Sequence, residues 1–221
     1  MNEAARSGDF ASVGSSTSRS QRALAVSDVT DFMASDYIGR GRRHVTTTTW
    51  LEMHSPDDLR APPPRTDVAI VQVRPPDPAL NARLYAAVGA GYRWVDRLRW
   101  SEDEWRGYVA RPNLETWLMT AAGEPAGYFE LIRHVEDETC LAEAPSAVDE
   151  ERRRGVEIAY FGLLPGFIGR GLGATLLAAA VRRGWALPAA RVWLHTSSHD
   201  HPHALANYLA RGFRIYRVDV S

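Results

Sequence analysis

One stretch constrains this chain's fold more than any other: a strand pattern that runs through a glycine-rich turn into a long helical pattern. Residues 161–185 read FGLLPGFIGRGLGATLLAAAVRRGW, and glycines 169, 171 and 173 fall where the helix opens. Bare backbone lets a ligand approach the main chain closely, and the first N–H groups of a helix have no partner of their own. The guest that such a turn invites is an anion, most often a phosphate.

The rest of the chain is punctuated in the same way. From Thr46 onward, TTTTWLEMH and DVAIVQVR are strand-like and flank a Pro-rich turn, RAPPPR. PALNARLYAAV predicts a helix, and SEDEWRGYVA predicts another that opens with Ser101 and Glu104 in capping-box spacing. ETWLMTAA and AGYFELIRHV pair as a hairpin across GEP, and the acidic, irregular stretch from Glu136 to Arg154 is expected to be a loop. VEIAYFGLL, the glycine turn and its helix follow, then strand RVWLHT, helix HPHALANYLARG and strand FRIYRV. Helices interleaved with strands predict an α/β fold around a mixed sheet. Residues 46–221 form the predicted domain. Residues 1–45 are Ser- and Gly-rich at first, hold a short helical pattern at Val26, Val29 and Met33, and end in the basic IGRGRRH. They are expected to be a disordered or weakly structured extension. Its acidic residues argue against a transit peptide.

Three readings compete for the glycine turn. Gly169, Gly171 and Ala174 match the dinucleotide pattern G-x-G-x-x-G/A, but that fold needs an acid at the end of the next strand, where Leu194-His195-Thr196 stands. A phosphate-binding Walker loop needs a lysine, and all 26 basic side chains are arginine. A plain strand-to-helix connection does not need three glycines in five positions.

A fourth reading rests on resemblance. Pro165 through Gly173 resembles the acetyl-CoA signature Q/R-x-x-G-x-G/A of the GNAT acetyltransferase superfamily, with Ile168 where Gln or Arg is usual and with Arg170, Gly171 and Gly173 in place. ALANYLARGF, Ala204 to Phe213, is similar to the family's closing motif, in which Tyr208 falls five residues before Phe213. The resemblance implies a GNAT-like α/β fold, a mixed and mostly antiparallel sheet flanked by helices. It also implies acetyl-CoA as co-substrate, held by Phe161, Gly162 and Leu163 on the strand and by Ile168, Gly169, Arg170, Gly171, Leu172, Gly173 and Ala174 around the turn. Main-chain N–H groups hold the pyrophosphate in this family, so Ile168 removes one polar contact rather than the site.

Acetyl transfer to an amine needs a base for the ammonium proton, a donor for the thioester carbonyl and an acid for the departing thiolate. Tyr208 is the acid that the motif implies, beside the sulfur, although Ala204, Leu205 and Leu209 on the same helix face also suit a core tyrosine. Glu157 is the candidate base, fourteen residues before Gly171 as in the histone-acetyltransferase branch. Strand alternation puts its carboxylate on a face with Ala159, Phe161 and Leu163. Glu130 is the alternative base, with Tyr128 on its face lining the acceptor side. GYRWVDRLRW, with Trp94, Asp96, Arg97 and Trp100, suits either an acceptor pocket or core aromatics with exposed charges. His195, His199, His201 and His203 crowd HTSSHDHPH, a spacing that can hold zinc. The preferred reading is that His201-Pro202 opens a helix capped by Asp200, with His199 and His203 facing water and no metal. His195, at a strand end, is the histidine expected to touch substrate.

A net charge of −1 gives no support to nucleic-acid binding, no apolar run is long enough to span a membrane, and the single Cys140 suits a reducing compartment. With no apolar signal core near the start, a cytoplasmic location is expected. The sequence therefore predicts an acetyl-CoA-dependent N-acetyltransferase acting on a primary amine of a small molecule or amino-acid-like acceptor, possible as a homodimer. The rivals are an acyltransferase for a protein or peptide amine and a catalytically silent acyl-CoA sensor.

Overall fold

The alternating patterns become seven strands and, among the described residues, four helices. The computed structural model describes residues 45–134 and 155–221. The strands are β1 (Thr47–Met53), β2 (Val68–Gln72), β3 (Leu114–Ala121), β4 (Glu124–His134), β5 (Gly155–Leu163), β6 (Val192–Ser197) and β7 (Arg214–Val220). The helices are α1 (Pro78–Gly89), α2 (Glu102–Val109), α3 (Leu172–Trp185) and α4 (Ala204–Ala210). Residues 1–44 and the loop expected between Glu136 and Arg154 lie outside the described residues.

Local chemistry explains most boundaries. Asp77 caps α1 by accepting from the Leu80 N–H, with Pro78 in the first turn. Ser101 and Glu104 close the predicted capping box of α2. The β3–β4 hairpin turns on Ala122 (φ 51°) and Gly123 (φ 83°), positive at both central positions as a two-residue hairpin turn of matching twist requires. The last helix departs from expectation: α4 starts at Ala204 with no side-chain cap. Asp200 is otherwise engaged, accepting from Thr196 Oγ1 at 2.7 Å and from the Ser197 N–H at 2.8 Å, so it closes the turn after β6 instead.

The strands lie in one sheet in the order β2-β3-β4-β5-β6-β1-β7. Every neighbouring pair is antiparallel except β5 and β6. Because side chains alternate across a strand, each face has its own core. On one face, Leu51, Phe129, Leu131, Val156, Ile158 and Leu194 pack beneath Leu172, Leu176, Leu177 and Val181 of α3, joined by Tyr208 of α4. On the other, α1 and α2 cover Tyr128, Glu130 and Tyr160 with Leu84, Tyr85, Val88 and Tyr108.

Strand β5 carries a bulge. Glu130 pairs with Tyr160 but Leu131 pairs with Ile158, so Ala159 is an extra residue. The extra residue reverses the alternation expected for Glu157. Its carboxylate is on the face of Tyr160 and Gly162, opposite Phe161 and Leu163, which pack toward α3.

Candidate functional site

Strands β5 and β6 pair in parallel at just two positions, Val156 with Val192 and Glu157 with Trp193. Beyond them the strands part, and a cavity of about 960 Å³ occupies the gap. The single parallel joint of the sheet thus makes the opening, and both strands present their side chains to it.

At one end stands the glycine turn. Ile168, Gly169, Gly171, Gly173 and Ala174 line the cavity, as do Phe161, Gly162 and Leu163 on β5. Arg170 and Leu172 do not. Arg170 turns outward over the Phe167 ring, 4.9 Å from its centroid, and Leu172, the first residue of α3, is buried against the sheet. Gly171 is the N-cap of α3 in the left-handed region, φ 74°, and no side chain caps the helix. A Cβ at Gly169, itself at φ 82°, would meet nothing within 4 Å. This end therefore offers an uncapped helix N-terminus behind an unobstructed backbone, which fits a phosphate-bearing ligand.

Tyr208 lines the cavity from α4, its ring edge-on to Phe161 of β5 with centroids 6.0 Å apart. Burial, with Asp200 nearby, pushes its pKa well above that of an ordinary tyrosine.

Glu157 lines the cavity from the paired end of β5. His134 Nε2 donates to its Oε2 at 2.8 Å, and His195 Nδ1 lies 3.8 Å from its Oε1. Each imidazole leans on a tryptophan, His134 on Trp193 at 5.5 Å and His195 on Trp50 at 4.8 Å between centroids. Without the bulge, Glu157 and Tyr160 would face opposite sides of the sheet. His134 gave no sequence signal, since its partner is 23 residues away on the next strand.

Another part of the cavity wall is aromatic. Trp94 and Tyr160 pack edge to face at 5.1 Å, with Tyr85 behind them, and all three line the cavity with Asp96 and Arg97. The Arg97 guanidinium lies 3.9 Å from the Tyr108 centroid, 4.4 Å from that of Tyr160 and 4.5 Å from that of Trp100. Burial works against its charge, but Tyr108, Tyr160 and Glu130 around it hold its pKa above the usual value. Tyr85 and Tyr160 escaped the sequence reading because a lone tyrosine on an apolar face reads as core.

Glu130 and Tyr128 sit elsewhere than expected. They share a face, as alternation predicts, but α1 covers it, so neither lines the cavity. Glu130 is fully buried and accepts from Asn81 Nδ2 at 2.7 Å and from the Tyr108 hydroxyl, with Arg97 Nη1 4.0 Å away. Burial raises its pKa against these three partners. His199 is not turned to water either: its Nε2 meets Thr46 Oγ1 at 3.1 Å and Arg93 Nη1 at 3.2 Å. His203 is exposed, as expected.

The sequence model of the Acetyltransferase (GNAT) family matches residues 81–213. The chain belongs to the GNAT acetyltransferase family. The match runs from within α1 through α4, with the glycine turn and Tyr208, and leaves β1, β2 and β7 outside. Members of the GNAT family generally use acetyl-CoA as co-substrate. No curated protein matches the chain in sequence. Among solved structures, a functionally unknown conserved protein from Staphylococcus epidermidis aligns at TM-score 0.55 and 16% identity, over 80% of this chain and 60% of that one. A GCN5-related N-acetyltransferase from Kribbella flavida aligns at TM-score 0.52 and 17% identity, over 80% and 59%. An aminoglycoside acetyltransferase from an uncultured soil metagenomic sample aligns at TM-score 0.51 and 11% identity, over 66% and 87%. This GNAT chain spans about three fifths of the length of the first two, and at such identities the likeness is one of fold. Among the described residues no helix is long and apolar enough to cross a membrane.

Proposed function

We propose that this chain is an N-acetyltransferase that moves an acetyl group from acetyl-CoA directly to a primary amine of a small, amino-acid-like acceptor. The observation that carries the reading is the continuity of one cavity, which touches the glycine turn, Tyr208 and Glu157. Acetyl-CoA supplies an activated acetyl thioester, and transfer leaves an amide and a free thiol.

The remaining work falls to the chain's own residues. The N–H groups at the start of α3 hold the pyrophosphate, and the glycines keep that approach clear. Beyond the Glu157–Trp193 pair, β5 has no strand partner on its β6 side among the described residues. The main-chain groups of Phe161 to Leu163 that point away from β4 are therefore free to hydrogen-bond the coenzyme and its acyl carbonyl. Glu157 takes a proton from the bound ammonium, and His134 fixes the carboxylate that does so. Tyr208, protonated at neutral pH, gives a proton to the departing thiolate as the C–S bond breaks, and the second proton shed by the nitrogen as the amide forms restores the phenol that burial favours. Trp94, Tyr85 and Tyr160 enclose the carbon skeleton of the acceptor, while Arg97 offers its carboxylate a guanidinium and His195 borders the amine. Glu130, with no opening onto the cavity, serves by fixing Arg97, Tyr108 and Asn81.

The test is free-thiol release from acetyl-CoA with a panel of amino acids, polyamines, short peptides and aminoglycosides, the last because a protein of the same fold acts on them. Thiol release that depends on a small amine carrying a carboxylate is the expected result. Release driven by peptides alone, or coenzyme binding with no release for any amine, contradicts the proposal.

A further inference from the structure

We infer that Arg65 is a positioning residue for the coenzyme turn: it holds the Arg170 carbonyl on the turn's outer side and so aims the Gly171 N–H toward the cavity. The inference rests on reading residues 169–174 as the pyrophosphate site.

Arg65 comes from the Pro-rich connection between β1 and β2, 105 residues before the peptide it touches, and its Nη1 donates to the Arg170 carbonyl at 3.2 Å. The other edge of the guanidinium is fixed by Asp67, with Nε donating to Oδ1 at 2.9 Å and Nη2 to Oδ2 at 2.6 Å. Two parallel bonds set the plane of the fork, so the third N–H group is aimed rather than free to swing. Arg65 is not inside the main cavity. It lines a separate cavity of about 250 Å³ with Thr175, Ala178 and Arg182, whereas Gly169 and Gly171 line the large one.

Peptide geometry then does the rest. The Arg170–Gly171 bond is trans, so its C=O and N–H point in opposite directions. Holding the carbonyl toward Arg65 sends the Gly171 N–H the other way, and Gly171 lines the large cavity. Gly171 sits at φ 74°, a conformation that glycine adopts freely and that leaves this peptide easy to rotate. A strap on its carbonyl removes that freedom before the coenzyme arrives. With Ile168 where the family signature has Gln or Arg, the turn offers no polar side chain there, and the main chain's orientation matters correspondingly more.

The Arg65–Asp67 pair is no prop for the fold. Arg65 is a third exposed and Asp67 mostly so, and exposed pairs of this kind add little stability. Thermal unfolding of Arg65→Ala should therefore match that of the unaltered chain, which separates positioning from a structural role.

The experiment is calorimetric titration of the full chain with coenzyme A and with its 3′-dephospho form, at low and high salt. Loss of one such hydrogen bond predicts that Arg65→Ala binds both forms about threefold to tenfold more weakly. Because Arg65 does not touch the phosphates, the salt dependence of binding should stay that of the unaltered chain. Asp67→Asn should weaken binding in the same direction by less, and Arg65→Lys should recover part of the loss. In turnover, KM for acetyl-CoA should rise by the same factor, with KM for the amine unmoved. A flatter salt dependence in Arg65→Ala, or a loss confined to the 3′-phosphorylated form, makes Arg65 a direct phosphate ligand and overturns positioning. Unchanged affinity in Arg65→Ala while Gly171→Glu abolishes binding removes the strap and keeps the turn. Unchanged affinity in both removes the turn and the strap together.

Discussion

A tyrosine can protonate a departing thiolate only while it holds its own proton, and Tyr208 is built to hold it. Its ring is wedged between Phe161 and Phe213, and burial beside Asp200 disfavours the phenolate. Tyr208→Phe keeps that packing and removes only the hydroxyl. Turnover should fall by about 10- to 1,000-fold, while calorimetry finds coenzyme affinity unchanged. The two glutamates should separate in the pH–rate profile. A carboxylate base must be ionised to work, so the rate falls on the acid side, and Glu157→Gln should lower kcat by about 100-fold or more and flatten that limb. Glu130→Gln should leave the limb in place and lower thermal stability instead, because its bonds to Tyr108 and Asn81 are buried. A limb flattened by the Glu130 variant would reverse the assignment. The place of Tyr208 at the cavity was legible in the sequence because a motif with fixed spacing points to it. The face of Glu157 was not, because one bulged residue at Ala159 reverses a period of two without leaving a mark in composition.

At the scale of elements, the placement of β1 is what local pattern cannot reveal. The strand reads as an ordinary half-buried segment, yet it lies between β6 and β7, so the first strand of the domain pairs with the last. Its alternation shows which side chains face inward and is silent about its neighbours. The dependence is testable by truncation. A chain that begins at Val45 keeps the Thr46–Ser221 backbone pair and all of β1, and should fold and turn over. A chain that begins at Ser55 removes β1 from the sheet interior and the neighbour of β7, and should give no cooperative unfolding transition. The capping box of α2 was fully legible, since Ser101 and Glu104 are local to it. The start of α4 was not, since Asp200 had a competing partner in the turn after β6. A second element-scale link ties α3 to β3, where Arg183 donates to Glu115 through Nε at 2.8 Å and Nη2 at 2.6 Å. Those bonds hold the Glu115 carboxyl below its ordinary range. Its stabilising effect is therefore present above the usual carboxylate pKa, about 4, and is lost as pH falls through the lower folded value. Glu115→Gln should lower Tm by about 1–4 °C near neutral pH, and the difference should vanish in acid.

At the scale of the molecule, one departure from a regular sheet makes room for the site. Six strand contacts close this sheet, and the parallel one between β5 and β6 opens after two residue pairs. Antiparallel neighbours on both sides keep the two strands anchored, so the gap persists as a cavity instead of closing into a longer ladder. The bulge in β5 then aims Glu157 and Tyr160 to one side, α3 brings its N-terminus to the other end, and α4 sets Tyr208 against Phe161. On the proposed reading, the glycine turn, Tyr208 and Glu157 serve a single bound coenzyme. A crystal structure of the chain with coenzyme A tests it most directly. The pyrophosphate should lie against the first turn of α3 and the sulfur between the parted strands, within hydrogen-bond reach of the Tyr208 hydroxyl and open toward Glu157. A coenzyme bound outside the gap, or one whose sulfur points away from Tyr208, would contradict it.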